Sequence, residues 1–315
     1  MLFRSALHRR LDRLSGTWVA VSPSRNVRPH SRVDVVCPLC PGGAELAFGY
    51  EAAVFENRFP SLVASPPPAG PDPRRAPSVG RCEVVLYTEH HEGSLATLSP
   101  EELANVVGIW RDRTAALWAD RRHRVVMPFE NRGEAVGATL SHPHGQLYAF
   151  DHLPPVIADR VEAARTHAAG GDCLGCAVVR DDDGSERVVA RNESFVVAVP
   201  YAPHWPYEVH VRSRRHGAAR LGDLTPGERR DLAAALRDVV LRYDALFGFP
   251  LPYLMVALDA PTGEDGAVVE GWHFSVEFLP PHRNERLTKV RASVETATGL
   301  FILDALPETT AGRLA

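Results

Sequence analysis

Lysine is almost absent from this chain. Of its 35 positive side chains, Lys289 is the one lysine and the rest are arginine. With the abundance of Ala, Pro and Gly, this bias reads as base composition of the coding sequence rather than function. An excess of positive charge is also missing. The 39 acidic residues leave a formal net charge of −4, so no overall basic field draws nucleic acid or anionic membrane. No apolar run reaches the ~18–20 residues of a membrane span. Met1 to Ser15 carries four arginines and no continuous apolar core, so it does not read as a signal peptide, and a cytoplasmic protein is expected. A chain of 315 residues, 45% hydrophobic and 23% charged, buries its core without disulfides. Its length suggests two domains or one large one.

The five cysteines are informative instead. Four form two C-x-x-C pairs, Cys37/Cys40 and Cys173/Cys176, and Cys82 stands alone. Inside a cell such pairs suggest a metal or redox chemistry. Cys37-Pro-Leu-Cys40 runs into Pro41-Gly-Gly43, a knuckle-like turn that favours zinc over a thioredoxin-like setting.

The pairs also mark a repeat. After each comes a strand, then a histidine, His91 or His216, then a loop and a helix start with a capping box. These boxes are Ser99-Pro-x-Glu102 and Thr225-Pro-x-Glu228. Apolar residues follow at helical spacing: Leu103, Val106, Val107, Trp110 and Leu117 in the first, with Thr114 as a polar interruption. The second has Leu232, Leu236, Val239, Tyr243 and Leu246. A second histidine closes each unit, His142 or His273. Repetition of the order Cys, Cys, His, His predicts two tetrahedral sites: Cys37, Cys40, His91 and His142, and Cys173, Cys176, His216 and His273. His90 is an alternative to His91 that the repeat disfavours. Two structural zinc ions per chain are expected, with no open coordination position on either.

Chemistry must then lie elsewhere. His142-Pro-His144-Gly-Gln146 carries an extra histidine, and the matching position in the second unit is Ser275. Alternation on a strand would put His144 on the face of His142, near the metal shell but free to react. The preceding run, Phe129-Glu-Asn131-Arg-Gly133-Glu-Ala-Val-Gly137-Ala-Thr139, offers small residues and neutral donors to a phosphate, and Gln146 adds another. A neutral imidazole suits a covalent nucleotidyl-histidine. Arg25, Arg28 and Asn57 are further phosphate or nucleotide candidates.

Phe129-Glu-Asn131-x-Gly133 leading to His142-Pro-His144-Gly-Gln146 resembles the galactose-1-phosphate uridylyltransferase family, in the histidine-triad superfamily, over nearly the whole chain. The resemblance implies an α+β fold of two tandem histidine-triad-like repeats, with antiparallel sheets forming half-barrels and helices packed on them. The repeats would be 1–160, with the nucleophile, and 161–315, without it. The resemblance implies a homodimer and ping-pong transfer of a nucleoside monophosphate from a nucleoside diphosphate hexose to a sugar 1-phosphate. UDP-glucose is the expected donor and galactose 1-phosphate the expected acceptor. It makes His144 the nucleophile and Gln146 the holder of the transferred phosphate. Arg25, Arg28, Asn57, Asn131, Gly137 and Thr139 would line the nucleotide.

In well-known bacterial members of the family a glutamate and three histidines form the second metal set. The approximately matching positions here read Arg160, Leu258, Ser275 and Glu277. The cysteine-containing second set instead resembles the branch that includes ADP-glucose:phosphate adenylyltransferases. Glu295-Thr-Ala-Thr298-Gly299-Leu-Phe301 resembles that branch's sugar-binding segment, with Ala297 where glycine is usual and Leu303 where asparagine is usual. Lys289 falls near a family lysine associated with the sugar phosphate. Phosphate as acceptor would make the enzyme a phosphorylase, and water a hydrolase. The reading from another class is an inactive zinc-stabilised nucleotide-sugar binding protein. Nucleic acid and membrane are not expected partners.

Overall fold

The structure is a computed structural model, and it describes residues 7–27 and 37–315. A small sheet near the start joins β1 (His8–Leu11), β2 (Trp18–Val21) and β4 (Arg75–Pro77) in the order β2-β1-β4. The main sheet has nine strands. Its first half holds β3 (Ala53–Glu56), β5 (Gly80–Leu86), β6 (Val125–Arg132) and β7 (His144–Phe150). Its second half holds β8 (Val188–Arg191), β9 (Phe195–Ala198), β10 (Val209–Ser213), β11 (Tyr253–Leu258) and β12 (Ser275–Leu279). The order is β3-β5-β7-β6-β11-β12-β10-β9-β8, and neighbouring strands run antiparallel. The two repeats therefore share one open sheet, joined where Phe129 to Arg132 of β6 pairs Tyr253 to Val256 of β11.

The helices are α1 (Pro100–Trp118), α2 (Pro155–Ala168), α3 (Leu174–Asp183), α4 (Pro226–Phe247), α5 (Ser293–Thr298) and α6 (Pro307–Leu314). Both expected capping boxes form: Ser99 with Glu102 opens α1, and Thr225 with Glu228 opens α4. The apolar face of α1 is buried as the spacing requires, Thr114 included. Thr114 is satisfied by donating its hydroxyl to Arg111 O at 3.0 Å. On α4, Leu246 is only partly buried, lying in the last turn, two residues before the Gly248 cap that ends the helix. The two helices pack together over one face of the sheet, and most of the core lies between them and it. α2 fills the joint between the units and packs on the other face, against Val125, Leu258 and Val269.

Candidate active site and metal centres

The eight expected metal ligands gather in their two expected groups. In each, one donor atom per residue lies within 4.8 Å of every other. Cys40 Sγ is 3.5 Å from His91 Nδ1 and 3.6 Å from His142 Nδ1. Cys176 Sγ is 3.4 Å from His216 Nδ1 and 3.3 Å from His273 Nε2, and Cys173 Sγ is 3.6 Å from the latter. A tetrahedral ion with the usual Zn–S and Zn–N bond lengths has an S···N edge of about 3.6 Å. Both groups could therefore hold a metal ion. Each buried imidazole is oriented by its other nitrogen, His142 Nε2 donating to Thr88 O at 2.9 Å and His273 Nδ1 to Ser213 O at 2.8 Å. Burial holds both rings below the ordinary histidine value, favouring the neutral form that metal ligation would need. The two C-x-x-C pairs differ locally. Cys37 to Gly43 is a turn, closed by Cys40 N to Cys37 O and Gly43 N to Cys40 O. Cys173 instead caps α3, its sulfur accepting from Cys176 N at 3.4 Å.

β7 begins at His144, so His142 lies ahead of the strand and does not share a strand face with it. The link between the two histidines is the backbone. His144 Nδ1 donates to His142 O at 2.7 Å, which leaves Nε2 with the free lone pair. Burial lowers the His144 pKa, opposed by that hydrogen bond.

His144 and Gln146 face a cleft of ≈ 160 Å³ whose lining also includes Arg25, Asn57, Asn131, Gly137 and Thr139. Asn57 Nδ2 donates to Gln146 Oε1 at 3.0 Å, turning the Gln146 amide N–H groups outward. Asn57 is itself fixed, its Oδ1 accepting from Phe59 N at 2.8 Å. Arg25 donates to Ser61 Oγ and Tyr148 Oη, both at 3.0 Å. Gly133 (φ 90°) and Gly137 (φ 80°) give the loop between β6 and β7 the left-handed turns that L-residues resist. Arg28 lies outside the described residues.

In the second half, Ser275 and Glu277 occupy the positions of His144 and Gln146, and this face is closed. Arg160 of α2 reaches across and holds Glu277 through two bonds of 2.7 and 3.0 Å. The C-terminal candidates stand apart from the cleft. Lys289 Nζ donates to Glu295 Oε1 and Ile302 O, both at 2.7 Å, and its side chain is only 1% exposed. Thr298 Oγ1 donates to Val294 O, and Gly299 is the left-handed cap of α5. None of these four lines the cleft of its own chain.

Family models for the N-terminal and C-terminal domains of galactose-1-phosphate uridyl transferase match residues 3–154 and 154–314. The chain belongs to the galactose-1-phosphate uridylyltransferase family. A galactose-1-phosphate uridylyltransferase from Thermotoga maritima is 39% identical over 311 residues, covering 97% of this chain and 96% of the relative. One from Streptomyces lividans is 38% identical over 258 residues, covering 78% and 69%. A solved uridylyltransferase structure is 29% identical, covers 98% of this chain and 97% of its own, and has a TM-score of 0.87. An ADP-glucose phosphorylase from Arabidopsis thaliana, 22% identical, covers 97% of each chain and shares the fold with a TM-score of 0.75.

For this uridylyltransferase-family chain the sequence reading overlooked the apolar walls of the cleft. Leu39, Phe55, Phe59, Val84, Phe129 and Tyr148 supply them. The signal was present as strand alternation: Phe55 with Asn57, Phe129 with Asn131, and His144 with Gln146 and Tyr148. Asn57, Asn131 and Gln146 each have an aromatic two residues away, in Phe55, Phe129 and Tyr148.

Proposed function

We propose that the protein transfers a uridylyl group from UDP-glucose to a hexose 1-phosphate, galactose 1-phosphate being the expected acceptor, through a covalent nucleotidyl-histidine. The observation that carries this is His144, tied by Nδ1 to a carbonyl, its other nitrogen free, at a cleft with aromatic walls and a fixed glutamine. Phe55, Phe129 and Leu39 take the base. Arg25, Thr139 and the loop around Gly137 take phosphate and ribose oxygens. His144 Nε2 attacks the α-phosphorus, and the bond from that phosphorus to the bridging oxygen breaks. Glucose 1-phosphate leaves with the bonding pair. Gln146 donates to a non-bridging oxygen as charge builds there. The His142 carbonyl stabilises the positive imidazole through Nδ1–H. In the second half-reaction a phosphate oxygen of the hexose 1-phosphate attacks the same phosphorus. The P–N bond breaks, UDP-hexose departs and neutral His144 is restored.

The ligand chemistry favours zinc in both groups, since two thiolates and two imidazoles at tetrahedral spacing are its usual structural set. With no open position, each zinc would hold the scaffold. Cysteines kept out of disulfides and available to a metal suit a reducing compartment, the cytoplasm. The C-terminal segment supports a homodimer. Leu287, Val290, Val294, Leu300, Ile302 and Leu306 are all exposed there, an apolar strip that a second copy would cover. A sugar-binding role for Lys289, Glu295, Thr298 and Gly299 then requires the segment to meet the partner's cleft.

The test is intact-protein mass after brief incubation with UDP-glucose and no acceptor. A uridylyl adduct should form, vanish in His144→Ala, and discharge on galactose 1-phosphate faster than on inorganic phosphate or water. Discharge fastest on phosphate would make the enzyme a phosphorylase. Absence of an adduct with every nucleoside diphosphate sugar would sink the transferase reading.

A further inference from the structure

Because the chain repeats itself, one half serves as a control for the other. An offset of 131 residues relates His142 to His273, His144 to Ser275 and Gln146 to Glu277, so Gly145 corresponds to Val276. Phe129 of β6 lies opposite Gln146, and Val256 of β11 lies opposite Glu277. Glu130 therefore corresponds to Ala257. In the second half Ala257 faces Val276 across the ladder, both fully buried and apolar. The half that keeps the histidine has a glutamate and a glycine at these positions.

Neither Glu130 nor Gly145 lines the cleft. Gly145 is not among the glycines with positive φ, so its backbone suits any residue. It is also buried on the face of β7 opposite the cleft, so ligand approach does not require it. The close neighbour lies behind the strand. A Cβ built on Gly145 would come within 2.2 Å of Tyr87 Oη, 3.1 Å of Tyr87 Cζ and 3.0 Å of Phe129 O. The Tyr87 hydroxyl fills the place of the missing side chain. Tyr87 is itself buried, its ring edge-on to Trp110 with centroids 5.9 Å apart. Glu130 belongs to the same cluster, Oε1 accepting from Tyr253 Oη at 3.0 Å. Among the described residues, Tyr87 Oη, Glu130 Oε2 and Trp110 Nε1 make no hydrogen bond of standard geometry, although the Tyr87 hydroxyl and the Glu130 carboxyl face each other. Burial pushes the Glu130 carboxyl up to about 7, with Tyr253 and Arg132 opposing. Burying such groups is unfavourable; in the second half Ala257 and Val276 stand in place of Glu130 and Gly145, and the short Ser213 stands in place of Tyr87.

We propose that Tyr87 and Glu130 are positioning residues for the nucleophile strand: the Tyr87 hydroxyl, wedged into the space above Gly145 and backed by Glu130, sets the depth of His144-Gly145-Gln146 against the neighbouring strands. His144 Nε2 and the Gln146 amide are thereby held at the height the α-phosphorus requires. This rests on His144 being the nucleophile. Small displacements at such a site are expensive, about 10²-fold in rate for 1 Å.

The experiment compares metal-loaded wild type with Gly145→Ala, Tyr87→Phe and the double variant. It reads single-turnover adduct formation from UDP-glucose, donor half-saturation, metal content and thermal midpoint. Gly145→Ala should slow adduct formation by about 10²-fold with half-saturation changed less than about threefold, since the donor contacts on the cleft face persist. Tyr87→Phe should slow it by about tenfold. Adding Tyr87→Phe to Gly145→Ala should restore about tenfold, because the oxygen that clashes is gone while Cζ and Phe129 O still crowd the methyl. A double variant no faster than Gly145→Ala, or a Gly145→Ala enzyme at wild-type rate, overturns the proposal. Should Gly145→Ala fail to fold, Tyr87→Phe and Glu130→Gln decide: wild-type adduct rates in both overturn it. If wild type forms no adduct with any donor, the transferase reading fails instead. The wedge is then read in thermal midpoints, where Tyr87→Phe must recover part of the loss in Gly145→Ala or the wedge falls as well.

Discussion

Glu130 and Glu277 are both buried carboxyls on strands of the main sheet, and their surroundings move them in opposite directions. Burial raises Glu130 to about 7; Tyr253, Arg132 and Tyr87 face it but do not offset the lost water. Burial would raise Glu277 too, but His210, Arg160 and Arg212 outweigh it and bring the carboxyl down to about 2. Linkage gives each a pH window. Glu277 contributes stability that is present above about 4.5 and lost as pH falls toward 2. Glu130 contributes most below about 4.5, where its protonated form is bound, and loses that contribution as pH rises to about 7. Glu130→Gln keeps a neutral side chain at every pH. Its stability relative to wild type should therefore rise between pH 4.5 and 7, by about 1–3 kcal/mol in total. Urea melts of both proteins across that range check this. A constant difference would mean that Glu130 titrates normally. A variant that is more stable near pH 7 yet slower to form adduct would place the carboxyl where function opposes stability.

At the scale of elements, α5 and the chain around it carry the clearest unmet requirement. Inside, the segment is well tied: Lys289 pairs Glu295, Glu295 Oε1 accepts from Ile302 N at 3.0 Å, and Phe301 stacks on His204 with ring centroids 4.0 Å apart. Outside, six large apolar side chains face solvent. A homodimer would bury them, and an unpaired charge there would be strongly unfavourable. Val290→Asp with Leu300→Asp should weaken dimerisation by at least about 10²-fold while leaving the far-ultraviolet spectrum unchanged. Sedimentation velocity reads the outcome, and a wild-type protein that sediments as a monomer at micromolar concentration would remove the dimer reading. What was legible in the sequence at this scale was local. Capping boxes, helical spacing and the Cys, Cys, His, His order depend on near neighbours or on simple repetition, and they reappear in α1, α4 and the two ligand groups. The union of the repeats through β6 and β11 was not legible, because that pairing joins strands far apart in the chain with no turn to announce it. Nor was the bond from Arg160 to Glu277, since a charged residue on a helix reads as solvated until the strand beneath it is known.

For the whole molecule, the ligand groups tie together parts of the chain that the sheet alone leaves loose. Cys40 and His142 are 102 residues apart, and Cys173 and His273 are 100 apart, so each ion would close a long loop in the folded state. The two closures have different consequences because one holds the cleft and the other does not. His142, a member of the first group, accepts a hydrogen bond on its carbonyl from His144 Nδ1, and Leu39 between the first two cysteines lines the cleft. No ligand of the second group lines it. Cys40→Ser should therefore release one metal per chain and slow adduct formation by about 10²-fold, since the loosened His142 backbone no longer fixes the imidazole. Cys173→Ser should also release one metal, but with adduct formation within about threefold of wild type at 25 °C. Each loss should lower the thermal midpoint on the order of 10 °C, from about 4 kcal/mol of binding at a metal concentration about 1,000 times Kd. Metal analysis, calorimetry and single-turnover kinetics on both variants test this together. Equal kinetic damage from the two substitutions would mean that the ions support a single cooperative scaffold. Full activity in Cys40→Ser would mean that strand β7 holds His144 without help from the metal beside it.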